Sequence, residues 1–321
     1  MTTGGKVGLA AVAALAVVTA AALADSQAPR PTRVRVSVVN ADLAAIVQRV
    51  GGSDVEVNVL FKGCVLRPNL SVEEGALNGL LSAEAVVWSG LFHESAAIYQ
   101  AVEALGPEKR ATLRRPTWID VSHGVARVKV PTSSCEGFVA IQFMHGDPFF
   151  WLNPDNGAVM ARNIARGLAE LRPARAAAYA ANAESFADEL ARHRARWRRQ
   201  LAPLAGVKIF VTQCGWANLA RLGPVFLSCR SEPGVLARPE VLAEQIAAQE
   251  IPIVVVDPHT PPEYGEVFRT KTKARVVTIP SSIGELPGAR EYHALFDNLV
   301  LRLLEAAGRG VAAAPTGGSH E

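Results

Sequence analysis

Several side chains able to bind a metal or form a covalent bridge fall between the expected regular segments of the 321-residue chain. There are four cysteines, Cys64, Cys135, Cys214 and Cys229. In an oxidising compartment an even number of cysteines suggests disulfides first and metal thiolates second, and four leave three pairings open. The stretch 145–154, HGDPFFWLNP, places an imidazole (His145) and a carboxylate (Asp147) around an Asp-Pro turn, with Phe149 beyond it and Pro154 opening a helix. Asp147 also suits the cap of that turn, and His145 a surface loop. Cys135 and Glu136 lie just upstream in TSSCEG, Gln213 is followed by Cys214, and His123 and His259 stand near the ends of expected strands. Strand C-terminal ends are where open α/β sheets receive ligands. Trp88, Trp151 and Trp216 near the same loops either pack elements together or line a pocket for an organic or chelate ligand. Catalytic signatures are missing: there is no G-x-S-x-G, H-E-x-x-H, P-loop or dinucleotide fingerprint, so no enzyme is expected.

Composition narrows the partners. With 33 basic and 30 acidic residues the formal charge is +3, which leaves no basic footprint for nucleic acid. The Arg-dense run RHRARWRR at 192–199 reads as the solvated face of a helix. At the N-terminus, Lys6 precedes an unbroken apolar run that ends in Ala22-Leu23-Ala24. That is the layout of a cleavable secretory signal over 1–24, with a Pro-bearing linker over 25–32. A retained membrane anchor is the competing reading, since the run could almost span a bilayer. The expected product is an exported, soluble protein.

These side chains need a scaffold, and the periodicity supplies one. RVRVSVV at 33–39 alternates as a strand, and NADLAAIVQRVGG follows as a helix that Asn40 can cap and Gly51 can end. VEVNVLF and the fully apolar AVVWSG are further strands, the latter suited to a parallel sheet covered on both faces. Between them SVEEGALNGLLSA reads as a helix with Ser71 as N-cap and Glu74 three residues on. From Asn156 to Gln200 nearly everything favours helix, broken at Pro173. The second part places Tyr179, Ala183, Phe186, Leu190 and Trp197 on one stripe and would hold about 28 residues, roughly 40 Å. Strand–helix alternation then resumes through KIFVTQ, PVFLS, PIVVVD and ARVVTI to a closing helix. The expected architecture is α/β: two doubly wound lobes, 33–154 and 204–308, bridged by a helical segment over 155–203, with a disordered tail over 309–321.

This arrangement resembles the periplasmic substrate-binding proteins of zinc and manganese ABC importers. The segments that carry the likeness are DPFFWLNPDNGAVMARNIARGLAELRPARAAAYAANAESF, KIFVTQCGWANLARLG and ADLAAIVQRVGGSDVEVNVLFKG. The resemblance implies two lobes clasped by one long helix, a divalent metal (zinc or manganese) or a small metal chelate in the cleft, and a membrane permease as partner. It also implies a periplasmic location, and a monomer is expected. Carried over residue by residue, the family's four ligand positions fall on Cys64, Phe149, Gln213 and Ser281. Cys64 can bind a soft metal as thiolate; Gln213 and Ser281 are weak neutral oxygen donors; Phe149 cannot coordinate. The expected non-standard set is therefore Cys64, His145, Gln213 and Ser281. The cysteine pairs expected on this frame are Cys214–Cys229 and Cys64–Cys135. The alternative is a family member without metal that serves as a partner-binding or regulatory module.

Overall fold

The computed structural model describes residues 33–61, 71–113, 115–128, 147–212, 216, 218–219, 222–228, 238–285 and 291–308. β1 (Val34–Val38), β2 (Val55–Val59), β3 (Ala85–Trp88) and β4 (Thr117–Asp120) form one sheet in the order β2-β1-β3-β4. All its pairings are parallel, with Val36 opposite both Val57 and Ala85, and Val87 opposite Ile119. β5 (Lys208–Val211), β6 (Val225–Ser228), β7 (Ile253–Val256) and β8 (Arg275–Thr278) repeat the pattern in the order β6-β5-β7-β8. Each lobe thus carries a reversal of strand order, between β1 and β3 in the first and between β5 and β7 in the second. At such a switch the strand ends part and leave a crevice. The apolar runs of β3 and β7 are buried, as parallel strands covered on both faces require.

Helices cover the sheets: α1 (Ala41–Gly51), α2 (Glu74–Ser82), α3 (Phe92–Glu103) and the short α4 (Pro107–Ala111) in the first lobe, α7 (Pro239–Ala248), α8 (Pro262–Lys271) and α9 (Tyr292–Ala306) in the second. Asn40 caps α1 as expected, its Oδ1 accepting the Leu43 N–H at 2.8 Å. Gly51 is the last residue of that helix, and Gly52 beyond it adopts φ +56°, a conformation that favours glycine. α2 starts later than the capping-box pattern suggests. Its N-cap is Glu73 rather than Ser71, because the Glu73 N–H is still tied to the Leu60 carbonyl at 3.2 Å and holds the chain extended up to that point.

The middle of the chain is α5 (Pro154–Leu171), a 3-10 turn at Pro173–Arg175, and α6 (Ala176–Leu201). Asn153 caps α5 and Pro154 occupies its first turn. Pro173 opens the 3-10 turn, so α6 itself has 26 residues and is about 39 Å long. The stripe Tyr179, Ala183, Phe186, Leu190 and Trp197 is buried, and Leu201 extends it. One hydrophobic core runs from Val34 and Val36 in the first sheet through this stripe to Leu299 and Leu303 in α9. A smaller cluster around Phe210, Leu242 and Phe268 fills the outer side of the second sheet.

Close packing at the centre depends on Gly157 in α5. A Cβ there would come within 2.7 Å of both Leu190 Cδ1 and Tyr292 Cε1. The Tyr292 ring is buried and anchored through its hydroxyl, so it cannot yield. Alanine normally gains up to about 1 kcal/mol over glycine inside a helix, whereas overpacking costs roughly 1–3 kcal/mol. Gly157→Ala is therefore expected to lower the unfolding free energy by about 1–2 kcal/mol, read as a fall in Tm by circular dichroism.

Candidate functional site

The two lobes meet where the Phe149–Leu152 turn, the N-terminus of α1 and the loop after β8 come together. Trp151 is the centre of this seam. Its Nε1 donates to the Ser281 carbonyl at 3.2 Å, and its own carbonyl accepts the Tyr292 hydroxyl from α9. Its ring lies 5.2 Å from Phe149 and 6.1 Å from Phe150, centroid to centroid. Asn156 fixes the turn from behind, donating to the carbonyls of Phe150 and Ala126 and accepting the Ala126 N–H, each at 2.8 Å.

Two of the sequence-derived site positions, Phe149 and Ser281, are thus brought together through Trp151. Neither suits a cation. Phe149 is 2% exposed and has no lone pair to offer. Ser281 is buried, and both its N–H (2.8 Å) and its hydroxyl (3.3 Å) are engaged by Glu285 Oε2. Cys64, His145 and Gln213 lie outside the described residues, as do Cys135, Glu136, Cys214 and Cys229, so both cysteine pairings remain expectations. Their neighbours Phe61, Asp147 and Thr212 are described, and all three are buried. Asp147 accepts a hydrogen bond from the side chain of Asn218, which links the loop after β5 to the Asp-Pro turn.

Several polar groups at the strand ends are not obvious from sequence spacing. At the switch of the second sheet, Asp257 Oδ2 accepts from Thr260 Oγ1 at 2.7 Å and Thr212 Oγ1 at 3.3 Å, while its Oδ1 accepts the His259 N–H at 2.8 Å. His259 Nε2 lies 3.1 Å from Glu285 Oε1. Glu285 Oε2 turns back to the Ser281 and Ser282 N–H groups, as the glutamate of an S-x-x-E pattern does. That pattern, SSIGE, was available in the sequence. At the exit of the first sheet, Glu94 accepts the Ser89 N–H at 2.9 Å. Arg127, held by burial below the usual guanidinium range, faces Asp120, Glu94 and Asp147, with its guanidinium 4.8 Å from the Phe150 ring centre. Burial pushes the carboxyls of Glu94 and Asp147 up to about 7.

Asp42 provides a second direct polar link between the lobes. From the first turn of α1 it accepts the Ser282 hydroxyl and, at 3.1 Å, the Ile283 N–H. It is fully buried, and that burial pushes its carboxyl up to about 7 despite both hydrogen bonds.

The family profile described as "ZnuA: Zinc-uptake complex component A periplasmic" matches residues 36–306. The chain belongs to the ZnuA family. A curated ZnuA family protein, the high-affinity zinc uptake system protein ZnuA of Brucella abortus, is 27% identical over 160 residues, 48% of each chain. The match thus spans about half the length of that relative. A crystal structure of a ZnuA deletion mutant with zinc bound superposes with TM-score 0.68 at 21% identity, covering 87% of this chain and 98% of that one. A manganese-bound periplasmic metal-binding protein from Candidatus Liberibacter asiaticus gives TM-score 0.65 at 16% identity, covering 84% and 98%. At these identities the superpositions establish the ZnuA-like fold: two parallel-sheet lobes joined by a long central helix. Among the described residues, no helix is long and apolar enough to cross a membrane.

The buried carboxyl at the seam gives a pH signature. A carboxyl held near 7 in the fold, well above the usual carboxylate range, stabilises the folded state while it is protonated. That contribution is complete at acid pH and is lost as pH rises through about 7. In Asp42→Asn the amide can accept from Ile283 and donate to Ser282. It is expected to match the parent near pH 4, exceed it in Tm at pH 8 and show a flatter Tm–pH curve between them, measured by scanning calorimetry.

Proposed function

We propose that the chain is the exported solute-binding component of an ABC importer, which receives a divalent metal ion or a small metal-containing species at the inter-lobe seam and delivers it to a membrane permease. Family membership across residues 36–306 carries this reading. The seam supports it, because the strand-end loops of both sheets meet there around Trp151. Zinc and manganese are the cargo that the family points to.

The donor set is proposed to be non-standard, with Cys64, His145, Gln213 and Ser281 nearest the family's ligand positions. Ser281 is the weakest member, since its hydroxyl already answers Glu285. An imidazole–carboxylate pair, His259 and Glu285, stands beside it. Imidazole and carboxylate suit zinc and manganese far better than serine or glutamine do. Such cargo loading is proposed to rearrange strand-end loops more than to swing the lobes, because one core runs through both lobes and α6.

A second reading is a metal-free family member acting as a partner-binding or regulatory module. The burial of Phe149, Phe150, Trp151 and Ile283 in one apolar seam favours it. In either role a monomer without nucleic-acid partners is proposed.

Equilibrium dialysis of the purified chain against zinc, manganese, copper and iron, with metal counted by mass spectrometry, separates the two. The importer reading expects about one tightly held equivalent of one metal at the seam, with affinity there falling roughly tenfold or more in Cys64→Ser or His145→Ala. No uptake of any of the four, with no thermal shift on adding metal chelates, would sink it in favour of the metal-free module.

A further inference from the structure

Away from the seam, three potential ligands converge where α1, α6 and α9 meet. Glu189 and His193 stand one helical turn apart on α6, and His293 lies in the first turn of α9. One ligand atom from each lies within 4.8 Å of the other two. Glu189 Oε1 is 3.8 Å from His193 Nε2 and 3.5 Å from His293 Nδ1. In a tetrahedral site with metal–ligand bonds of about 2.0–2.1 Å, neighbouring donors stand roughly 3.3–3.4 Å apart. The two glutamate–histidine separations therefore already approximate edges of a coordination polyhedron, and the third edge, between nitrogens of the two imidazoles, is no longer than 4.8 Å.

The surroundings fit a cation. The charged groups facing the cluster are Arg49 from α1, Arg196 from α6, and Glu291 and Asp297 from α9 and its N-terminal flank. Arg49 engages the other oxygen of Glu189 and leaves Oε1 to the histidines. Arg196 is paired with Asp297 and also meets His193 Nδ1 at 2.9 Å. Glu291 Oε2 lies 3.4 Å from His293 Nδ1. Counting Glu189, these are three carboxylates against two guanidiniums, a net local charge of one negative. All three ligand side chains are partly exposed, at 24%, 18% and 22%, so an ion has a path in.

We propose that Glu189, His193 and His293 form an accessory site for a divalent transition metal of the zinc type, separate from the cargo seam. Two imidazoles and a carboxylate leave the remaining coordination positions to water. With the metal on His193 Nε2, the proton of that neutral ring sits on Nδ1, and Arg196 releases this nitrogen while keeping Asp297. The ion clasps α6 to α9, and Arg49 on the far oxygen of Glu189 extends the clasp to α1. It thereby stiffens the junction of both lobes with the spine. This proposal does not depend on the cargo reading.

The test uses the full chain without a histidine tag, stripped by chelator and titrated with Co²⁺ as probe, then with Zn²⁺ in competition. The His193 ring lies 5.5 Å from the buried indole of Trp197, so a bound paramagnetic ion quenches that fluorophore. The expected result is saturable quenching by Co²⁺, reversal by Zn²⁺, and a rise in Tm with either ion. The double variant His193→Gln/His293→Gln is expected to weaken the quenching response roughly tenfold or more, and Glu189→Gln to weaken it as well. Uptake at the seam, read as the metal binding that Cys64→Ser removes, should stay unchanged in the Glu189, His193 and His293 variants. Wild-type protein that shows no saturable quenching overturns the proposal even if the variants do not fold. Quenching of equal strength in the double variant overturns it too.

Discussion

Trp151 is the constraint on which the two-lobed arrangement depends. One side chain and its carbonyl join three elements distant in sequence: the Asp-Pro turn, the loop after β8 through Ser281, and α9 through Tyr292. Buried in a low-dielectric seam, these hydrogen bonds cannot be exchanged for water, so breaking one leaves an unpaired polar group. Asp42 adds a second tie of the same kind, from the N-terminus of α1 to Ser282 and Ile283. Together they hold the strand ends of both sheets at one place, which is what a shared ligand seam requires.

The long helix α6 makes these ties possible by burying a single stripe against both lobes. Gly157 lets α5, α6 and α9 approach closely enough for Tyr292 to reach the Trp151 carbonyl. A core that runs unbroken from the first sheet through α6 to α9 favours coordinated small shifts over wide hinge opening. Electrostatics at the seam follow from the same burial. Asp42, Glu94 and Asp147 are each enclosed with few charged partners, and desolvation dominates their protonation. In the His259–Glu285 pair the imidazole stays half-exposed while the carboxyl is buried.

Much of the fold was legible in the sequence because it rests on local periodicity. The alternation of Val34, Val36 and Val38, the apolar run of β3, the Asn40 cap and the stripe from Tyr179 to Trp197 all express backbone geometry that a short window contains. The family likeness was legible for the same reason, since the order of strands, turns and the long helix is itself a sequence pattern.

Tertiary structure alone decided the rest, because it depends on which distant side chains face each other. Nothing near Asp42 in sequence reveals that a loop 240 positions away would enclose it and raise its pKa. Glu285 falls in a recognisable S-x-x-E turn, but its meeting with His259 requires β7 and β8 to lie side by side. Glu189, His193 and His293 read separately as ordinary helix-surface residues; they become a donor set only where α6 crosses α9. Local pattern settles the elements through short-range backbone physics. The chemistry of the sites arises from long-range packing, which sets distance, desolvation and charge together.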